Sequence, residues 1–302
     1  MRTLRYLHLD VFTSTPFQGN QLAVFPDPGD LSKDTMQAIA REMAFSESTF
    51  IYPPQKDGDV RMRMFTPGDE LPMAGHPTIG STFALAIEGT IVRGRGQFVF
   101  ELGVGPTPVS LEWNAQGLSF AWMTQPLPLF GAVIEDRTAM AVALSVDEAS
   151  LMPDLPVQIV SCGVPFLFVP LVTRAAVDAV VLDRRAVARC CAAAGVEERP
   201  TFLFSTEGGV SDEATVYCRM LAPGFGIPED PATGGASGPL GSYLLQHRVV
   251  APAAAEEIVS LQGVAMGRPS RLHIAIEGHP DRITRVRVGG QSVLVGRGEL
   301  TV

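Results

Sequence analysis

Three residues stand where their type and spacing allow chemistry: Glu47 in FSESTFIY (45–52), His76 in MAGHPTIGS (73–81) and Asp230 in GIPEDPATGGAS (226–237). Glutamate is a poor strand residue, yet Glu47 opens a strand-like stretch. If it faces water it is an ordinary edge carboxylate. If it is partly buried, its pKa rises toward neutrality, and one group can take up a proton and give it back. His76 precedes Pro77 and an apolar run. Proline favours the first helical position and drives its predecessor to extended backbone. The spacing therefore predicts a helix opening at Pro77, with His76 at its cap. The N–H groups of Thr78 and Ile79 would then be exposed beside a titratable ring, which is a small anion site. Asp230-Pro231 repeats the arrangement, with aspartate a preferred cap. Glu229 beside it is expected to face solvent, and Gly234-Gly235 lets a ligand approach the backbone closely.

The elements that must position these residues follow from hydrophobic period. Strands are expected at 4–12, 20–25, 48–52 and 60–65, where Val60, Met62 and Met64 alternate with Arg61 and Arg63. A helix opens at Ser32 with Met36, Ile39, Ala40 and Met43 on its apolar face. The helix from Pro77 to about Ile87 carries so little charge that it must be buried on most sides. Residues 97–122 read as three short strands, and MTQPLPLFG (123–131) as a linker. Helical patches near 133–143 and 174–193 and strands near 156–161, 166–172, 201–205 and 214–221 follow. An apolar helix is expected from Pro231 to about Gln246, then a strand-rich tail from Glu257. RMFTP (63–67) and RMLAP (219–223) each end a strand ahead of one of the two proline-led helices. This indicates a two-domain pseudo-repeat, 1–124 and 125–302, with each half placing a helix N-terminus at a shared cleft. The strand at about 291–302 is positioned to complete the first domain.

Composition narrows the function. The 302 residues are 46% hydrophobic and 18% charged, with net charge −9 and no basic cluster, so nucleic acid is not an expected partner. The apolar run near Pro165–Val172 is too short to span a bilayer, and the first twelve residues alternate like a strand, not a signal peptide. The four cysteines form no CxxC pair, and adjacent Cys190 and Cys191 argue against a disulfide framework, which fits a cytoplasmic location. TGGASG lacks the following Lys-Ser/Thr of a phosphate loop, and GGASGP lacks the last glycine of a nucleophile elbow. Five scattered histidines give no metal-ligand spacing, and no dinucleotide fingerprint is present.

The segments DVFTSTPFQGNQLAVF (10–25), FSESTF (45–50), FTPGDELPMAGHPTIG (65–80) and GIPEDPATGGAS (226–237), with SCGVPFLFVPL (161–171) as a weaker match, resemble the phenazine-biosynthesis PhzF-like family. The resemblance implies the diaminopimelate epimerase-like fold, of α/β class. Two similar domains each wrap a β-barrel-like sheet around a central helix, with the active site in the interdomain cleft. It implies that Glu47 is the acid/base, that His76 and Asp230 are catalytic partners, and that the Gly75 and Gly234 backbone lines the substrate-carboxylate region, with Thr78, Thr233 and Gly235 expected as further substrate-binding residues. A serine is common in the family at Gly235. No cysteine lies near Pro77 or Pro231, so the two-thiol mechanism of the fold's racemases does not apply. The implied activity is a cofactor- and metal-independent isomerase that moves a proton and a double bond on a small carboxylic acid, in a homodimer. Two other readings stand beside it: a catalytically silent binding or interaction protein on the same scaffold, and an epimerase or racemase.

Overall fold

The computed structural model describes residues 2–209 and 212–302. Its backbone divides into two units, Met1–Thr124 with Val288–Val302, and Gln125–Arg287. The elements of the first stretch are β1 (Thr3–Val11), β2 (Asn20–Phe25), α1 (Lys33–Met43), β3 (Glu47–Tyr52), β4 (Val60–Phe65), β5 (Glu70–Leu71), α2 (Gly75–Ile87), β6 (Gln97–Leu102), β7 (Gly105–Asn114) and β8 (Gly117–Gln125). The second unit contributes β9 (Leu129–Val133), α3 (Arg137–Leu144), β10 (Gln158–Ser161), β11 (Pro165–Pro170), α4 (Arg174–Ala179), α5 (Arg184–Ala193), β12 (Thr201–Ser205), β13 (Val216–Ala222), β14 (Ile227–Asp230), α6 (Gly234–Gln246), β15 (Ile258–Gln262) and β16 (Ser270–His279). It ends within β17 (Arg282–Gly290), and β18 (Ser292–Thr301) returns to the first unit, antiparallel to β1.

The same path is traced twice. In the first unit β2 runs parallel to β3 across α1, β3 is antiparallel to β4, and β4 is parallel to β6 across β5 and α2. In the second, β11 runs parallel to β12 across α4 and α5, β12 is antiparallel to β13, and β13 is parallel to β15 across β14 and α6. Parallel joins require a crossover, so each unit carries one outer and one inner helical crossover. The inner helices are α2 and α6, each buried at eleven of thirteen residues. Glycines let these helices approach the side chains of the surrounding strands closely. A Cβ on Gly80 would lie 2.5 Å from Leu22 Cδ2 and 2.6 Å from Val11 Cγ2, and one on Gly241 2.5 Å from Ile274 Cγ2. Outside, α1 packs on Phe25, Phe50 and Phe65, while Leu144 of α3 and Val187 of α5 join Leu203 of β12 in a second cluster.

Four expectations shift. The stretch 123–131 is not a linker: β8 continues to Gln125 and β9 begins at Leu129, leaving only 126–128, with both prolines, between them. The helix expected at 133–143 starts at Arg137, because Asp136 caps Ala139 N–H at 2.8 Å and Val133 belongs to β9. The span 174–193 is two helices. Asp183 caps Arg185 and Ala186 N–H at 2.9 and 3.1 Å and restarts the chain. The two inner helices also begin elsewhere than at the prolines, with consequences for the site. Among the described residues, no helix is long and apolar enough to cross a membrane.

Candidate active site

Glu47 is the first residue of β3, opposite Leu22 of β2, and is only 8% exposed, which removes the water-facing alternative. His76 lies in the first turn of α2 and is buried. The two meet with His76 Nδ1 3.1 Å from Glu47 Oε2. The opposite ring nitrogen, Nε2, is 3.3 Å from the carbonyl oxygen of Gln21. A carbonyl only accepts, so Nε2 carries the ring's proton and Nδ1 presents its lone pair. Asn20 Nδ2 also approaches Nδ1, at 3.5 Å. Burial pushes His76 down to about 3, against the smaller opposing pull of the Gln21 carbonyl, so the ring is neutral near pH 7. The lone pair on Nδ1 and Glu47 Oε2 therefore face each other in a buried contact.

The helix start sets the second feature. α2 begins at Gly75, with Ala74 as its extended cap, so His76 is inside the helix rather than at its cap. The N–H groups lacking intrahelical partners are then those of Gly75 and His76, not Thr78 and Ile79. The Thr78 hydroxyl donates back to Ala74 O at 2.8 Å, which leaves it no second proton for a ligand. The cap moves because the ring is committed to Gln21 and Glu47.

In the second unit the site residues are tied by one glutamine. Asp230 ends β14, and α6 begins at Gly234 with Thr233 as cap, so neither Asp230 nor Pro231 opens the helix. Gln262 of β15, fully buried, donates to Asp230 O at 2.7 Å and to Thr233 Oγ1 at 2.9 Å, and accepts from Thr233 N–H at 3.1 Å. These bonds tie Asp230 and Thr233 to β15 ahead of the helix. Thr233 in turn donates its hydroxyl proton to Asp230 Oδ2 at 2.6 Å. Gly234 and Gly235 form the first turn, and Gln125 donates to Gly234 O at 2.9 Å. Sequence reasoning missed Asn20, Gln21, Gln125 and Gln262. The first two lie in a segment singled out for its resemblance, while Gln262 gives only the weak signal of an amide in an apolar strand. Glu229 does not face solvent: Arg219 grips it through Nε and Nη2, both at 2.9 Å, and Arg63 grips Glu70 the same way at 2.6 and 2.8 Å. The repeated arginine of RMFTP and RMLAP is the signal that could have found both forks.

The geometry can be set beside known proteins. Residues 9–298 match the family model described as phenazine biosynthesis-like protein. The chain belongs to this family. It is 36% identical over 301 residues to the trans-2,3-dihydro-3-hydroxyanthranilate isomerase of Pseudomonas aeruginosa, covering 97% of this chain and 98% of that one. A Pseudomonas aeruginosa protein of known structure, described as a predicted epimerase, is 31% identical with a TM-score of 0.81 over 99% of both chains. A Bacillus anthracis protein of the phenazine-biosynthesis family shares the fold, with a TM-score of 0.86 over 100% of both chains at 24% identity.

Within this phenazine biosynthesis-like fold, the two units differ where chemistry would occur. β3 and β12 hold equivalent places, and where the first begins with Glu47 opposite Leu22, the second begins with Thr201 opposite Leu167. α2 begins Gly75-His76 and α6 begins Gly234-Gly235. Glu47 and His76 therefore have no titratable residue at the corresponding places, Thr201 and Gly235, of the second unit. The thiols stand apart: burial pushes Cys162 and Cys218 up to about 12, and they sit against Ser242 and Ser260 rather than at a helix start. Among the described residues no group of three or more His, Cys, Asp or Glu could hold a metal ion.

Proposed function

We propose that this chain is an isomerase that moves a proton, and with it a double bond, on a small unsaturated carboxylic acid. The relative named trans-2,3-dihydro-3-hydroxyanthranilate isomerase points to that compound class as the first substrate to try. The observation that carries the reading is the buried contact between Glu47 Oε2 and His76 Nδ1, where the second unit has Thr201 and Gly235 in the corresponding places. Glu47 as carboxylate takes a proton from an activated carbon, and the C–H electron pair becomes the new double bond. The old double bond's electrons take the proton back from Glu47 at another carbon. His76, its ring fixed by Gln21, orients the Glu47 carboxyl. The amide groups of Gly75 and His76 hold the substrate carboxylate and the charge that develops beside it. Asp230, with Thr233, Gly234 and Gly235, is assigned to orient the substrate on the strength of the family resemblance. Positioned acid/base catalysis supplies about 10²–10⁴-fold, so fixing the substrate supplies much of the rest.

The test is direct. The protein is incubated with trans-2,3-dihydro-3-hydroxyanthranilate and a panel of unsaturated and amino carboxylic acids, and each is followed by proton NMR. A shifted double bond with a new C–H at a second carbon is the expected result. Inversion at one carbon with the double bond unmoved would make it an epimerase. Saturable binding across the panel with no turnover would favour the silent binding protein, a reading to which the missing hydroxyl at Gly235 gives some support.

A further inference from the structure

A pocket lies in the first unit, and neither Glu47 nor His76 lines it. Its volume is about 470 Å³, within the range of small-molecule sites. It is formed where the start of α1, the loop between β3 and β4, the outward side of β4 and the turn between β6 and β7 converge. Six charged residues line it: Lys33, Lys56, Arg61, Arg63, Glu70 and Glu101. Leu71, Pro72, Leu102 and Pro106 supply an apolar wall.

Both carboxylates are already satisfied. Arg63 grips Glu70 with two bonds, and Lys33 Nζ stands 3.4 Å from the same carboxylate. Glu101 accepts the backbone N–H groups of Gln55, Lys56 and Gly58 at 2.7, 2.6 and 3.0 Å, and these bonds hold its carboxyl below the usual carboxylate range. They also fix the loop that carries Lys56. Gly58 is required there, because a Cβ would lie 2.4 Å from Glu101 Cγ.

Arg61 is different. Its guanidinium lies 4.8 Å from the centre of the Tyr52 ring and makes one long bond, 3.3 Å, to Gln55 Oε1. Its Nε is buried with no hydrogen-bond partner. A buried charged donor without an acceptor is costly, and a planar fork braced on an aromatic face is pre-organised for a bidentate oxyanion. With four cations and two carboxylates, the lining keeps two positive charges, in a chain whose net charge is −9.

We infer that this pocket binds a small phosphate monoester with an apolar body. Two surplus charges match the roughly −1.5 to −2 of a phosphate monoester near pH 7, whereas a single carboxylate would neutralise only one of them. Arg61 and Lys56 hold the phosphate oxygens, and the Leu71–Pro106 wall covers the apolar part. The site does not depend on the proposed isomerase reaction.

Phenyl phosphate is the probe, titrated into the full chain by calorimetry, with amide chemical shifts recorded in parallel. Expected are one saturable site per chain, weaker binding at high salt, and shifts centred on Lys56, Leu71 and Gly103. Arg61→Met and Lys56→Met should each weaken binding by about tenfold, and phenol should bind at least about tenfold more weakly than its phosphate. Lys56 is on an exposed loop, so its variant tests the site even if Arg61→Met impairs folding. Absence of saturable binding, equal affinity in wild type and Lys56→Met, equal affinity for phenol, or shifts centred on Gly75 or Gly234 would each overturn the assignment.

Discussion

Replacing Glu47 by glutamine isolates the chemistry from the fold. The side chain keeps its length and volume, and only the titratable oxygen is lost. His76 Nε2 remains committed to Gln21 O, so Nδ1 still offers its lone pair at 3.1 Å. The glutamine amide donates to that lone pair, and the buried ring is not left unsatisfied. The difference between the two hydrogen bonds is about 0.5–1.5 kcal/mol, which moves the melting temperature of a unit this size by about 1–6 °C. Turnover behaves differently. The amide neither accepts nor returns a proton, so the rate should fall by about 10²–10⁴, or about 2.7–5.4 kcal/mol in the barrier. The assay follows double-bond movement in trans-2,3-dihydro-3-hydroxyanthranilate by NMR, with binding and thermal unfolding of the same preparation measured beside it. Undiminished turnover in Glu47→Gln would remove Glu47 from the mechanism. A large loss of stability would refute the assignment of Nδ1 as the acceptor.

Three further outcomes follow from named contacts. His76 is held neutral, its pKa pushed from 6.5 down to about 3, so between these values the unfolded chain binds the extra proton. The stability this gives is complete above about pH 6.5 and is lost as pH falls toward 3; between about 6.5 and 5 the slope approaches about 1.4 kcal/mol per pH unit for such a histidine. Urea unfolding at stepped pH should show this slope reduced in His76→Gln, while His247 and His273, also lowered by burial, keep the remainder. Gly235→Ser should be tolerated, because its Cβ would meet only the Phe166 ring at 3.8–3.9 Å. Serine is the better helix former by about 0.5 kcal/mol, so an unchanged or slightly higher melting temperature is expected, with tighter binding of a carboxylate substrate. Arg219→Met strands Glu229 and frees the carbonyls of Val177, Asp178 and Val180. With both side chains mostly buried it should cost about 2–4 kcal/mol in denaturant unfolding, against less than about 0.5 kcal/mol for the exposed Arg285.

What the sequence made legible was governed by period and by local chemistry. Alternation in Val60, Met62 and Met64 and the charge-free run after Pro77 identify a strand and a buried helix, because burial leaves a direct trace in composition. Helix starts were misjudged for a tertiary reason. Proline and aspartate are good local openers, but the His76 ring is drawn to Gln21 and Glu47, and Gln262, thirty-two residues after Asp230, pins the second loop open. The same holds for Glu47 and Glu229, which from sequence can equally face water. Their burial depends on strands and arginines distant in the chain. The 123–131 stretch failed for the opposite reason: two prolines outweighed flanking residues that were already strand.

The pseudo-repeat itself limits the mechanism. Both units carry a buried inner helix, a glycine at its first position and an arginine–glutamate fork joining the two strands before it. They differ in that Thr201 and Gly235 occupy the places of Glu47 and His76. A two-base inversion needs a second acid, and neither Thr201 nor Gly235 supplies one at those places. One carboxyl that accepts and returns its own proton needs no partner there. The consequence is measurable. Glu47 and His76 are 8% and 3% exposed, so a proton resting between them exchanges slowly with water while substrate is bound. Substrate deuterated at the donor carbon and converted in ordinary water should therefore yield product retaining deuterium at the acceptor carbon, well above the trace that solvent equilibration would leave. Product carrying only solvent protons would mean that the returned proton comes from another group, and the single-carboxyl mechanism would have to be abandoned.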